Sequence, residues 1–134
     1  MTIALHFTHI TVNDVDEAIA FYRDALGLEV RNDVASGGFR WVTLGSPDQP
    51  VVELVLSQPH AGRSQQDGDA LQELLTKGVL SQYVFVTDDV DGMFERIRTT
   101  GAEVLQEPAD QPWGPRDCAF RDPSGNTVRI SAQA

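Results

Sequence analysis

Few residues in this chain are equipped to do chemistry. There are three histidines, His6, His9 and His60, and a single cysteine, Cys118. His9 could act as a general base or as a plain hydrogen-bond partner; base catalysis would need a matched pKa and a second group to steer the ring. No histidine lies near Cys118 in sequence, so the thiol reads as a small core residue rather than a nucleophile. Glu53 and Arg129 sit in matching tripeptides, Val52-Glu53-Leu54 and Val128-Arg129-Ile130. They could form a structural ion pair, or Arg129 could reach a ligand carbonyl or carboxylate, and both can hold. Gln82 offers a donor and an acceptor and can orient a ligand without reacting. Phe7, Phe39, Trp41 and Trp113 could pack as ordinary core or stack on a flat, conjugated molecule. Asp122-Pro123-Ser124-Gly125 is turn chemistry, and neither common phosphate-cradling glycine motif is present.

These side chains need elements to position them. Residues 4–12 read as a strand, with Phe7, His9 and Thr11 on one face and Thr8, Ile10 and Val12 on the other. Residues 14–26 read as a helix: Asp14 caps it, Glu17 completes a capping box, and Gly27 stops it. Val15, Ile19, Tyr22 and Leu26 form its buried stripe. Strands are expected over 28–34, 38–45 and 51–57, with Phe39 and Trp41 on one face of the second of these. Residues 58–80 read as a polar connection holding a short helix, capped by Asp69, with Leu71, Leu74 and Leu75 on its apolar side. A strand over 81–87, a helix over 89–100 and strands over 102–106, 114–121 and 126–132 complete the chain.

The order β-α-β-β-β occurs twice. Asp14-Val15-Asp16 matches Asp89-Val90-Asp91, and each precedes an amphipathic helix ended by Gly27 or Gly101. The stretches Ala20-Phe21-Tyr22-Arg23-Asp24-Ala25-Leu26-Gly27-Leu28 and Phe120-Arg121-Asp122-Pro123-Ser124-Gly125-Asn126 resemble the vicinal oxygen chelate superfamily of glyoxalase I, extradiol dioxygenases and bleomycin-resistance proteins. The resemblance covers essentially the whole chain. It implies an α+β fold of two βαβββ modules forming a curved eight-stranded mixed sheet with a concave ligand cup. Module boundaries of 1–57 and 81–134 are expected, joined by 58–80 within a single domain.

The resemblance also implies four metal-ligand positions, usually His and Glu. Placed by distance from the helix-start aspartates and the final turn, they fall on Phe7, Glu53, Gln82 and Arg129. Only Glu53 matches. A guanidinium cannot ligate a cation and its fixed charge repels one. A two-residue slip could bring in His9, but a third ligand would then be needed; His6 is expected on the helix side and His60 in the connection. No metal and no cofactor is therefore expected.

The net charge of −10 and the absence of a Lys/Arg cluster argue against nucleic acid and anionic membrane as partners. No apolar run approaches the roughly 20 residues of a membrane span. A lone cysteine and no secretory leader suit a cytoplasmic protein. The combined expectation is a metal-free binding protein that sequesters a hydrophobic or aromatic natural product or antibiotic. Its ligand contacts would be Phe7, His9, Phe39, Trp41, Glu53, Gln82, Trp113 and Arg129, and by resemblance it would be a homodimer. The rival expectation is a glyoxalase-like lyase or isomerase, metal-dependent or using His9 and Glu53 as acid and base, acting on a small oxygenated metabolite.

Overall fold

Asp14 and Asp89 begin the same structure twice. Each lies just outside a helix and accepts a hydrogen bond from the backbone N–H three residues on, that of Glu17 at 3.0 Å and that of Gly92 at 2.9 Å. Each bond satisfies a donor that the helix start leaves open. The computed structural model describes residues 1–133 and divides into two units, Met1–Glu73 and the chain from Leu74 onward.

In the first unit, α1 (Val15–Ile19) runs directly into a π-helical turn over Ala20–Ala25. There the Leu26 N–H reaches back five residues to the Phe21 carbonyl at 3.1 Å. The widened turn buries the neighbours Phe21 and Tyr22 together, their rings edge to face with centroids 4.9 Å apart. The predicted stripe of Val15, Ile19, Tyr22 and Leu26 is buried; Phe21 joins it because of the π turn. Strands β1 (Phe7–Thr11), β2 (Glu29–Ser36), β3 (Phe39–Ser46) and β4 (Gln49–Ser57) form a mixed sheet of order β1-β4-β3-β2. The pair β1·β4 is parallel and the others are antiparallel. Ile10, Val42, Leu44 and Leu56 are fully buried on the helix side. Alternation then places Phe7, His9, Phe39, Trp41, Glu53 and Val55 on the helix-free face.

Helix α2 (Gln65–Lys77) is longer than the sequence suggests. Its start is held by Ser64, whose Oγ accepts from the Asp67 N–H at 3.1 Å. Asp69, the expected cap, lies a turn inside and binds His60 instead, Oδ1 to Nε2 at 2.8 Å. Of its expected apolar side, Leu75 is buried, Leu71 half-buried and Leu74 exposed.

The second unit repeats the first with β5 (Gln82–Thr87), α3 (Val90–Arg98), β6 (Glu103–Asp110), β7 (Arg116–Arg121) and β8 (Thr127–Ala132), in sheet order β5-β8-β7-β6. All eight expected strands are thus present, four in each mixed sheet. The same ion pair recurs inside each unit, and sequence patterning does not reveal it. Arg40 at the start of β3 binds Asp16 at 2.7 Å, and Arg116 at the start of β7 binds Asp91 at 2.8 Å. Each arginine ties the second aspartate of its Asp-Val-Asp motif to the sheet.

The register corrects one matched pair. Glu29 pairs with Gly45 and Glu103 with Arg121, so Gly45 and Arg121 are equivalent. Gly45 in turn pairs with Glu53, but Arg121 pairs with Thr127. Glu53 is therefore equivalent to Thr127, and Arg129 to Val55. The cause is the connection from Gly45 to Glu53, which is two residues longer than that from Arg121 to Thr127. A two-residue offset preserves facing, so Glu53 and Arg129 still lie on the helix-free faces of their sheets.

The β7–β8 turn is built around Asp122, which is buried. Its Oδ1 accepts from the N–H groups of Ser124, Gly125 and Asn126, each at 2.9 Å. The carboxylate thus fills a nest of amides that could otherwise hold an anion. Gly125 has φ +123°, and a Cβ there would strike the Leu75 carbonyl oxygen at the end of α2. Among the described residues no helix is long and apolar enough to cross a membrane. Replacing Gly125 by Ala is expected to cost about 2 kcal/mol or more through φ strain and this collision, read as a lowered midpoint in urea unfolding.

Candidate functional site

The helix-free face of the first sheet carries rings and one carboxylate. Phe7 lies between two imidazoles, with ring centroids 5.0 Å from His6 and 6.1 Å from His9. It remains 49% exposed. Phe39 and Trp41 meet edge to face at 6.4 Å and are half-buried. Register sets Phe7 opposite Glu53.

Glu53 is engaged within the first unit. Its partner is Arg31, which donates from Nη1 to Glu53 Oε2 at 3.3 Å. Arg31 is the extra residue of a β-bulge, since Val30 pairs with Leu44 and Asn32 with Thr43. A bulge re-aims a side chain, and here it swings the guanidinium across Gly45, where a Cβ would collide with it. Arg31 also donates to Glu29, Pro50 O and Ser46 O, so its charge is fully used in the first unit. His6 is not on the helix side. It precedes β1, where strand alternation does not apply, and places Nε2 3.8 Å from Glu53 Oε1 and Nδ1 3.1 Å from Val51 O. His9 Nδ1 lies 3.4 Å from Ser57 Oγ.

In the second sheet, Arg129 faces Asp117. Its Nη1 donates to Asp117 Oδ2 at 3.0 Å and to Gln106 Oε1 at 3.1 Å. Asp117 Oδ1 also accepts from Gln106 at 2.9 Å and Gln111 at 2.6 Å. The aspartate is only 2% exposed. Burial works to raise its pKa, but the hydrogen bonds from Gln111, Gln106 and Arg129 outweigh it and hold the carboxyl below its ordinary value. Gln82 is exposed at the start of β5 opposite Thr127. Val84, opposite Arg129, and Val86 are exposed on the same face. Trp113 stands 71% exposed in the β6–β7 loop and makes no ring contact among the described residues. Cys118 is fully buried, and burial together with the Asp117 charge pushes its thiol up to about 11, so it is held in the protonated, unreactive form.

These donors do not fit a divalent cation. Phe7 has no ligating atom, Arg129 is cationic, Gln82 is a neutral amide, and Glu53 is engaged by Arg31. Among the described residues no three His, Cys, Asp or Glu side chains gather as a metal site. Sequence reasoning missed Arg31, Gln106, Gln111 and Asp117. Asp117 had a signal: an acidic residue beside Cys118-Ala119-Phe120 in a strand must find partners if buried. Arg31 had none, because the bulge depends on pairing with β3.

Asp117 makes acid stability testable. Its folded-state pKa is depressed, so the stabilisation is complete above the unfolded carboxyl pKa of about 4 and is lost as pH falls through the lower folded value. Unfolding free energy measured across this range should fall with pH, and Asp117→Asn should be less stable at neutral pH with a flatter acid limb.

The chain matches the family model described as Glyoxalase/Bleomycin resistance protein/Dioxygenase superfamily over residues 4–130. It is 31% identical over 124 residues to YurT of Bacillus subtilis (strain 168), covering 92% of this chain and 94% of that protein. The crystal structure of UcmS2 superposes with a TM-score of 0.86 at 35% identity and covers 98% of both chains. TnmS3, an antibiotic binding protein from Streptomyces sp. CB03234, shares the fold with a TM-score of 0.77 at 24% identity, over 100% of this chain and 99% of that one. Matched along nearly its full length, this chain belongs to the Glyoxalase/Bleomycin resistance protein/Dioxygenase superfamily.

Proposed function

We propose that this protein is a metal-free, cytoplasmic small-molecule binder that sequesters a hydrophobic or aromatic natural product or antibiotic on the helix-free faces of its sheets. The observation that carries the reading is the pairing of each facing charge inside its own unit, Glu53 by Arg31 and Arg129 by Asp117. Rings and valines on the same faces stay uncovered, as Phe7, Val84 and Val86 show. Apolar faces punctuated by a few fixed polar groups suit ligand binding. Phe7, Phe39 and Trp41 supply stacking, while His9, Gln82, Glu53 and Arg129 orient the ligand; Trp113 is offered from its loop. Likeness to TnmS3, an antibiotic binding protein, supports the class. The glyoxalase-like alternative would use His9 and Glu53 as base and acid, and engagement of Glu53 by Arg31 weighs against it. The net charge of −10 supports a reading without nucleic-acid partners.

Titration with a panel of aromatic natural products, followed by tryptophan fluorescence, should give saturable binding. Trp41→Ala should weaken it by about 1 kcal/mol. A silent panel counts against the proposal, as does stoichiometric metal in the purified protein that is lost on Glu53→Gln. We extend the reading to a homodimer, supported by exposed Ile3, Leu5 and Val51. Sedimentation equilibrium should return twice the chain mass, and a monomer at all concentrations would refute the dimer.

A further inference from the structure

The Arg129 guanidinium is half committed. Both of its hydrogen bonds leave from Nη1, to Asp117 and Gln106. Among the described residues Nε and Nη2 have no partner. The side chain is 26% exposed, so these donors are not sealed in. Asp117 is itself immobilised by Gln106 and Gln111, which makes it a fixed post for one edge of the guanidinium. The planar fork then presents its other N–H groups at a set angle. Val84 is the register partner of Arg129, and Val86 follows it on the same face, both exposed and apolar. The valines on β5 lie on one side of Arg129's strand, and the guanidinium reaches the other way, over β7 toward Gln106 of β6, so a flat molecule lying across β8 would span valines and donors.

Charge balance narrows what can dock there. Arg129 and Asp117 cancel within the cluster, and Gln106 and Gln111 are neutral. An anionic group would leave one uncompensated charge beside apolar side chains, which is costly. A cation or a donor would meet N–H groups that cannot accept. A neutral acceptor oxygen conjugated to an apolar body satisfies both the donors and the valines. We infer that this face of the second sheet is a subsite for a neutral conjugated carbonyl, with Arg129 as the donor and Asp117 as the residue that positions it. The inference rests on the proposed binding function and names the ligand class for this face.

The test uses three naphthalene probes of similar size on the full chain: 2-acetylnaphthalene, 2-ethylnaphthalene and 2-naphthoate. In equilibrium dialysis the ketone should bind about tenfold more tightly than the hydrocarbon, the worth of a hydrogen bond to a charged donor, and the carboxylate should bind no better than the hydrocarbon. Only the ketone should shift the Arg129 side-chain Nε–H signal in NMR spectra. Asp117→Asn removes the balancing charge and frees the guanidinium, so the carboxylate should gain about tenfold relative to the ketone. The wild-type ranking and the Nε–H signal need no variant, so they stand even if Asp117→Asn folds poorly. Equal binding of all three probes overturns the inference while leaving the binding function intact. A preference for 2-naphthoate in the wild type overturns the neutral-acceptor class. Failure of every probe, the hydrocarbon included, removes the binding face and the inference together.

Discussion

A single helix can cover only one face of a four-stranded sheet, and α1 packs against the first sheet as α3 packs against the second. Ile10, Val42, Leu44 and Leu56 fill the covered side of the first sheet, and Cys118, Phe120, Val128 and Ile130 that of the second. Burial of this set supplies the main stabilisation, at about 25 cal/mol per Å² of apolar surface. The opposite faces carry polar groups and rings, of which Phe7 is exposed and Phe39 and Trp41 are half-buried. The function proposed for this protein rests on that second side.

Charges on such a face must be settled locally. In the first sheet a β-bulge supplies the counter-ion, turning Arg31 over Gly45 to reach Glu53. In the second, Asp117 arises from the strand itself and receives Arg129, Gln106 and Gln111. Two of the four residues that the resemblance sets at metal-ligand positions, Glu53 and Arg129, are thereby parts of polar networks closed within each unit. What those networks leave over is aromatic and aliphatic surface in the first sheet and a half-committed guanidinium in the second.

The internal repeat shows which features the scaffold requires and which it leaves free. The helix-start aspartates, the stop glycines and the Arg40–Asp16 and Arg116–Asp91 bridges occur in both units and hold helix to sheet. The helix-free faces have diverged: Gly45 stands where Arg121 does, and Val55 where Arg129 does. Residues under the helix are constrained by packing density, which penalises changes of even a methylene. Residues on the other face are free of that constraint, and the proposed ligand site draws on them.

The family, the order of elements and the facing of Phe7, His9, Phe39, Trp41, Glu53 and Arg129 were legible in the chain, because capping residues, stop glycines and strand alternation are local rules. The partners of Glu53 and Arg129 were not, and neither were the two-residue offset of the repeat, the π turn that buries Phe21, or the position of His6. Each of these depends on strand register, on a bulge, or on the length of a connection, which are settled only when distant segments pair. Within the strands, sequence alone determined which side chains face away from the helices. Tertiary structure decided which of them are already spoken for, because a hydrogen bond of about 3 Å is fixed by the register of two strands and cannot be read from either one.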